Sequence, residues 1–340
     1  MIHPWNASLF RHLTSDPEHM PHALLLHGPA GVGKLDLAVE LARWALCQEP
    51  TPDGACAVCD ACNWFDQGNH PDFRRVEPIE PDAGEAGEGE SNDSAPARKT
   101  PKKGGRVIRV EAVREITKFL NLSAHRGGWR VALIHPAEFM NPAAANALLK
   151  TLEEPPARVL LLLVSHQSGR LPPTVISRCR MVAVPAPRRD TALAWLRAAG
   201  LPDPEPPLAE AGGAPLAALG YAEPERAARR EAFLDLLAQP RRLDACQAAQ
   251  TFQPVLAEAW GWLTRWVHDL LAQRLAGQTH YFPPRADAIA RIAAVSGLAD
   301  LLALQRELAL AGRWLRHTLN AQLLLESWLI RYSEIAGAKA

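Results

Sequence analysis

The chain has 340 residues, enough for two or three domains rather than one, and 48% of them are apolar. Its 37 basic and 37 acidic residues cancel to a formal charge of zero. That balance excludes a whole-protein basic field that would draw in nucleic acid, so any contact with DNA is expected to be local or made with partners.

The opening Met1-Ile2-His3-Pro4-Trp5 lacks a basic region followed by an apolar core, so no signal peptide is expected and the cytoplasm is the expected compartment. No stretch of 18 uncharged apolar residues follows anywhere, which argues against a membrane span. The apolar run Ala23–His27 predicts a buried strand, and the amphipathic pattern over Lys34–Leu46 predicts a helix. Between them lies Gly28-Pro29-Ala30-Gly31-Val32-Gly33-Lys34, the strand–loop–helix context of a phosphate-binding loop. There Gly28, Gly31 and Gly33 let backbone N–H groups turn inward, the helix N-terminus adds positive potential and Lys34 adds a full charge.

The loop departs from a working motif at its next position. A Ser or Thr hydroxyl is needed there to hold Mg²⁺, and the residue is Leu35. A second departure follows the predicted strand Val131–His135. A hydrolytic site needs carboxylates just past such a strand, and the sequence places His135 and Pro136 there, with Glu138 one turn late. Hydrolysis and a Mg²⁺ site are therefore not expected. Binding of ATP or ADP on the remaining glycine cradle and Lys34, or a purely structural loop, both stay open.

Cys47, Cys56, Cys59 and Cys62 fall within sixteen residues with C-x8-C-x2-C-x2-C spacing. Thiolates so spaced can converge on one ion, and a closed four-cysteine site is structural, so Zn²⁺ is the expected cofactor. An iron–sulfur cluster is the alternative; a disulfide is disfavoured in a reducing compartment. Cys179 and Cys246 are isolated and read as inert thiols.

Further strands are predicted at Phe73–Val76, Val159–Val164 and Met181–Val184, and helices at Glu111–Asn121 and Pro142–Glu153. Asn141 and Pro142 suit an N-cap and a first helical position. Strands alternating with helices predict a parallel α/β sheet covered on both faces. Residues 77–105 interrupt the pattern: Glu77–Asp93 is acidic and Gly- and Pro-rich, and Arg98–Arg106 is basic, which predicts a disordered surface insertion. After Pro187 the strands stop. Residues 188–222 carry two short helical patterns around a Pro-rich turn at Leu201–Pro207. From Glu223 onward the pattern is helical, with Trp260, Trp262, Trp266, Trp314 and Trp328 at spacings that favour packing over base stacking.

Two stretches carry a resemblance. Asn146-Ala147-Leu148-Leu149-Lys150-Thr151-Leu152-Glu153-Glu154-Pro155-Pro156 and Ser177-Arg178-Cys179 resemble the clamp-loader family of AAA+ proteins, which includes the bacterial gamma/tau and delta-prime subunits and the replication factor C subunits. Val110–Glu115 and Ala143–Asn146 are closest to the delta-prime branch, and the cysteine array resembles the zinc module of gamma/tau and delta-prime. The resemblance covers residues 1–222 well and the remainder by length and helical character.

It implies a RecA-like AAA+ domain over 1–186 containing the cysteine module (47–62), a helical lid over 187–222 and a C-terminal helical collar over 223–340. It implies a five-subunit ring with gamma/tau and delta that loads the beta sliding clamp onto primed DNA as part of DNA polymerase III holoenzyme. In that family the arginine matching Arg178, flanked by Ser177 and Cys179, acts as a finger on the neighbouring subunit's ATP. A guanidinium supplied in trans stabilises transition-state charge on the γ-phosphoryl group. An active gamma/tau-like motor, or another P-loop ATPase, is the competing reading, opposed by Leu35 and His135.

Overall fold

The structure is a computed structural model. It describes residues 2–79, 106–122, 124–125, 128–312, 315 and 320–337. Most of the 77–105 insertion, as well as Trp314, therefore lies outside the described residues. The chain divides into a first compact unit ending at Pro187 and a second beginning at Arg188.

The first unit is built on five parallel strands: β1 (Ala23–His27), β2 (Phe73–Val76), β3 (Arg130–Ile134), β4 (Val159–Ser165) and β5 (Arg180–Ala183). Their order is β2-β3-β4-β1-β5, so β1 sits between β4 and β5. Every residue of β3 and β4 is buried. The apolar runs Val131–Ile134 and Val159–Val164 within them are what a sheet covered on both faces requires. Alternate residues serve the two faces. Ala23, Leu25, Ala132, Ile134, Leu161 and Leu163 join the core under the helices Val110–Leu120 and Pro142–Glu153. The Lys34–Leu46 helix packs on β1, β3 and β4.

Register positions the loops. His27 pairs with Ser165, and Ile134 with Leu163. The segments after β1, β3 and β4 therefore leave the sheet at one edge. In doubly wound folds that edge, at the carboxyl ends of the strands, is where ligands bind.

The second unit is helical. Between Arg189 and Tyr221 it forms three helices rather than the two expected: Arg189–Ala198, Glu205–Glu210 and Pro215–Tyr221. The extra helix starts inside the supposed turn. Pro206 and Pro207 fall in its first turn, where the backbone N–H is unpaired anyway and a fixed φ favours helix entry. Ala192, Leu193, Leu196, Leu208 and Ala218 form a small core of their own.

The remaining helices surround a larger core centred on Trp262, Trp266 and Trp328, each no more than 1% exposed. These tryptophans pack; they do not present faces for bases. Their N–H groups find internal acceptors: Trp266 donates to the Tyr332 hydroxyl at 2.9 Å, and Trp262 donates to Glu210 at 3.1 Å. Glu210, 1% exposed, also takes Arg226 at 2.7 Å and Arg230 at 2.9 Å. This buried carboxylate joins the 205–210 helix to the helices that follow it.

Candidate functional site

The glycine loop leaves β1 and enters the Lys34–Leu46 helix as its spacing requires. Gly28 has φ +144° and Gly33 φ +79°, conformations that side-chain-bearing residues rarely adopt. A Cβ at Gly28 would strike the Val184 carbonyl, and one at Gly33 would strike the His3 ring. No side chain caps the helix N-terminus, which leaves its N–H groups directed at the loop.

The loop is closed upon itself. Lys34 is 2% exposed, and its Nζ donates to the carbonyl oxygens of Gly28, at 2.8 Å, and Pro29. Burial pulls its pKa down to about 8, against the attraction of Glu138. From outside, Trp5 Nε1 and Asn6 Nδ2 each donate to the Val32 carbonyl at 3.0 Å. His3 stacks on Trp5 and contacts Asp36 at 3.1 Å. The segment His3–Asn6 thus lies on the loop.

The positions that would hold Mg²⁺ and water are occupied by other chemistry. Leu35 is half-buried and offers no oxygen. His135 follows β3, and its ring meets that of His166, just past β4, edge to face at 5.3 Å. Glu138 accepts the His166 backbone N–H at 3.0 Å. Burial, then the positive charge of Lys34, pushes the His166 pKa down to about 4, and burial likewise lowers that of His135. Both rings are therefore neutral at pH 7: an imidazole and then Pro136 stand just past β3 where carboxylates would be needed, and the His166 ring lies beside them.

The four cysteines converge. Cys47 closes the Lys34–Leu46 helix, and Cys59 caps the Asp60–Asp66 helix that carries Cys62. All four Sγ atoms lie within 4.8 Å of one another. The Cys47–Cys59 and Cys56–Cys62 separations are 3.9 and 4.0 Å. These are far beyond an S–S bond of about 2.05 Å, and close to the separation of about 3.8 Å that tetrahedral sulfur at about 2.3 Å from one ion would impose. Backbone N–H groups of Cys56, Cys59 and Cys62 donate to Cys47, Cys56 and Cys59 sulfur at 3.2–3.5 Å. Burial pushes the Cys62 thiol up to about 12; at Cys59 burial also raises the pKa, but backbone N–H donors outweigh it and bring that thiol to about 6. Four sulfurs so close cannot all ionise alone, and a bound cation relieves that repulsion. The cluster can hold a metal ion, with no open position left for catalysis.

Ser177, Arg178 and Cys179 lie between the short helix Pro173–Ile176 and β5. The Arg178 guanidinium is about one-third exposed and bonds to Glu153, Thr174 and Ser177, not to the glycine loop. Cys179 is half-buried against the sheet core, and burial raises its thiol to about 11. The structure thus keeps three groups distinct: the glycine loop with Lys34, the four cysteines, and Arg178 with its neighbours.

Sequence reasoning missed His166, the His3–Asn6 contact and Glu153. His166 carried one signal: like His135, it follows a buried strand, one residue beyond the apolar run Val159–Val164. Glu153 lay within the Asn146–Pro156 stretch, but its contact with Arg178 and the contact of His3–Asn6 with the loop join residues distant in the chain and left no signal.

The family described as DNA polymerase III, delta subunit, matches residues 6–188, and the one described as DNA polymerase III, delta subunit, C terminal, matches residues 224–334. DNA polymerase III subunit delta' of Pseudomonas aeruginosa is 36% identical to this chain, over 99% of it and 98% of that protein. The protein of the same name from Yersinia pestis is 31% identical, over 97% and 95%. DNA polymerase III subunit tau of Salmonella typhimurium is 35% identical over 46% of this chain and 21% of its own length. With matches that run nearly end to end, this chain belongs to the delta' subunit family of DNA polymerase III.

Proposed function

We propose that this chain is the ATPase-inactive member of a clamp-loader ring. It assembles in the cytoplasm with gamma/tau and delta subunits, helps place the beta sliding clamp on primed DNA, and lends Arg178 to a neighbour's ATP. Residues 1–186 act as the AAA+ domain, 187–222 as a lid and 223–340 as a collar.

One contrast carries the reading. The carboxyl edge of the sheet has Leu35, His135 and Pro136 where hydrolysis needs a hydroxyl and carboxylates, while Arg178 stays about one-third exposed with no phosphate of its own to serve. A guanidinium in that situation is useful to another chain's γ-phosphoryl group, where an arginine finger contributes roughly 10³–10⁵ in rate. Ser177 and Cys179 set the backbone that presents it: Ser177 accepts from Arg178, and Cys179 anchors the segment in the core.

The glycine loop serves mainly as structure. Nucleotide would have to displace Lys34 from the carbonyls of Gly28 and Pro29, without Mg²⁺ to help. At the cysteines the reading is structural Zn²⁺. A single ion suits sulfurs within 4.8 Å of one another, whereas an iron–sulfur cluster spans several atoms and holds its cysteines farther apart.

The deciding experiment is reconstitution with gamma/tau, delta, clamp and primed DNA, comparing the natural chain with Arg178→Ala. The expected outcome is normal assembly with a large loss of clamp- and DNA-stimulated ATPase. Unchanged ATPase sinks the finger. ATP turnover by the isolated chain that disappears in Lys34→Met would instead favour a motor like gamma/tau.

A further inference from the structure

Arg178 is held by more than its own segment. Nη1 donates to the Thr174 carbonyl at 3.0 Å and to Ser177 Oγ at 3.3 Å, both on the stretch that carries Arg178 and moves with it. Nη2 lies 2.6 Å from Glu153 Oε1. Glu153 is the last residue of the Pro142–Glu153 helix. It therefore ties the guanidinium to a second element, one whose Leu148 and Leu152 are buried in the sheet core.

A carboxylate is poorly placed in the last turn of a helix, where unpaired carbonyls already concentrate negative potential. At Glu153 that disadvantage acquires a use. The Glu153 carboxylate forms an anionic seat for Nη2 while Thr174 and Ser177 hold Nη1, and contacts on two sides of a planar guanidinium with fixed donors favour one orientation. The seat is open to solvent: the side chains of Arg178 and Glu153 are 36% and 49% exposed. An exposed pair holds its partner loosely. A phosphate with greater charge can share or take the guanidinium, so the contact orients Arg178 without locking it away.

We propose that Glu153 is the positioning residue for Arg178, holding the guanidinium oriented toward the site where a neighbouring chain presents phosphate. This rests on the reading of Arg178 as a finger. An arginine left to its own rotamers reaches a reactive geometry only part of the time, and misplacement of a group that acts on the transition state lowers kcat rather than substrate affinity.

The test is steady-state ATPase of the complete ring, with clamp and primed DNA, carrying Glu153→Ala, Glu153→Gln, Arg178→Ala or the Glu153→Ala/Arg178→Ala pair. We expect Glu153→Ala to lower kcat about five- to tenfold while KM for ATP stays within about twofold. Glu153→Gln keeps an oxygen acceptor for Nη2 and recovers most of the rate. The double variant turns over no more slowly than Arg178→Ala alone. An unchanged or raised kcat in Glu153→Ala, beside a crippled Arg178→Ala, overturns the positioning role and leaves the finger standing. Equal slowing by Glu153→Ala in both backgrounds also overturns it, because Glu153 would then act through the fold. An unaffected Arg178→Ala removes the finger and this inference with it.

Discussion

Lys34 and Arg178 are cations of one α/β unit with opposite circumstances. Lys34 is 2% exposed, spends its donors on the carbonyls of its own loop, and has its pKa drawn down by burial. Arg178 is about one-third exposed and sits in a carboxylate seat that solvent can reach. The comparison teaches that residue type and motif do not decide whether a charge is available to a ligand. Burial and the partners already engaged decide it. A phosphate loop can survive in sequence while its lysine is absorbed into structure, and the usable cation can lie elsewhere.

The strongest way to break the comparison is Arg178→Ala in the reconstituted ring. Its expected effect at the served ATP site is a rate loss of at least about 10³-fold. Stability of the isolated chain should hardly move, since exposed ion pairs are worth about 0–1 kcal/mol. A large drop in its unfolding temperature would mean that Arg178 is structural after all.

Glu210 offers the buried counterpart to Glu153. It is 1% exposed and balances Arg226 and Arg230, each with a side chain 10% exposed. Glu210→Ala leaves the buried Arg226 guanidinium without a carboxylate and Arg230 with Glu231 alone, and denaturant unfolding should register a loss of about 3–5 kcal/mol. A loss below about 1 kcal/mol would show that burial does not separate the two carboxylates.

The cysteine cluster is tested by metal. One equivalent of zinc per chain is expected, and Cys62→Ser or strong chelation should lower the unfolding temperature of the first unit by several degrees. The scale is roughly 2–4 °C per kcal/mol for a unit of this size. Iron with labile sulfide would overturn zinc, and metal-free protein with an unchanged melting profile would remove the metal.

The smallest effect concerns pH. His166 has its pKa lowered to about 4 from an ordinary 6.5. Between those values the unfolded chain binds a proton there and the folded chain does not, so stability falls as pH drops from 6.5 toward 4. His135 adds in the same direction. His166→Asn should therefore shrink, without abolishing, the difference in urea midpoint between pH 7 and pH 4.5. An unaltered difference would show that His166 does not sit half-buried beside Lys34.

Much of the site was legible because its chemistry is local. Gly28–Lys34 needs only its own residues and the flanking strand and helix. The cysteine spacing permitted convergence, and the departures at Leu35, His135 and Pro136 were readable one by one. The helix at Glu205–Glu210 was misread as a turn because proline is a breaker within helices yet welcome in a first turn, and only the chain's path separates the two cases.

By itself, then, the sequence determined the parallel α/β unit, the helical remainder, the loop lacking its hydroxyl, the four cysteines and the Ser177-Arg178-Cys179 segment. Each is written in periodicity, spacing or short motif. Tertiary structure alone decided that β1 lies between β4 and β5, that His166 joins His135 beside Lys34, that His3–Asn6 lies on the loop, and that Glu153 seats Arg178. These contacts join residues far apart in the chain. Their existence follows from strand order and register, which depend on how every element packs at once and leave no periodic trace at the residues that meet.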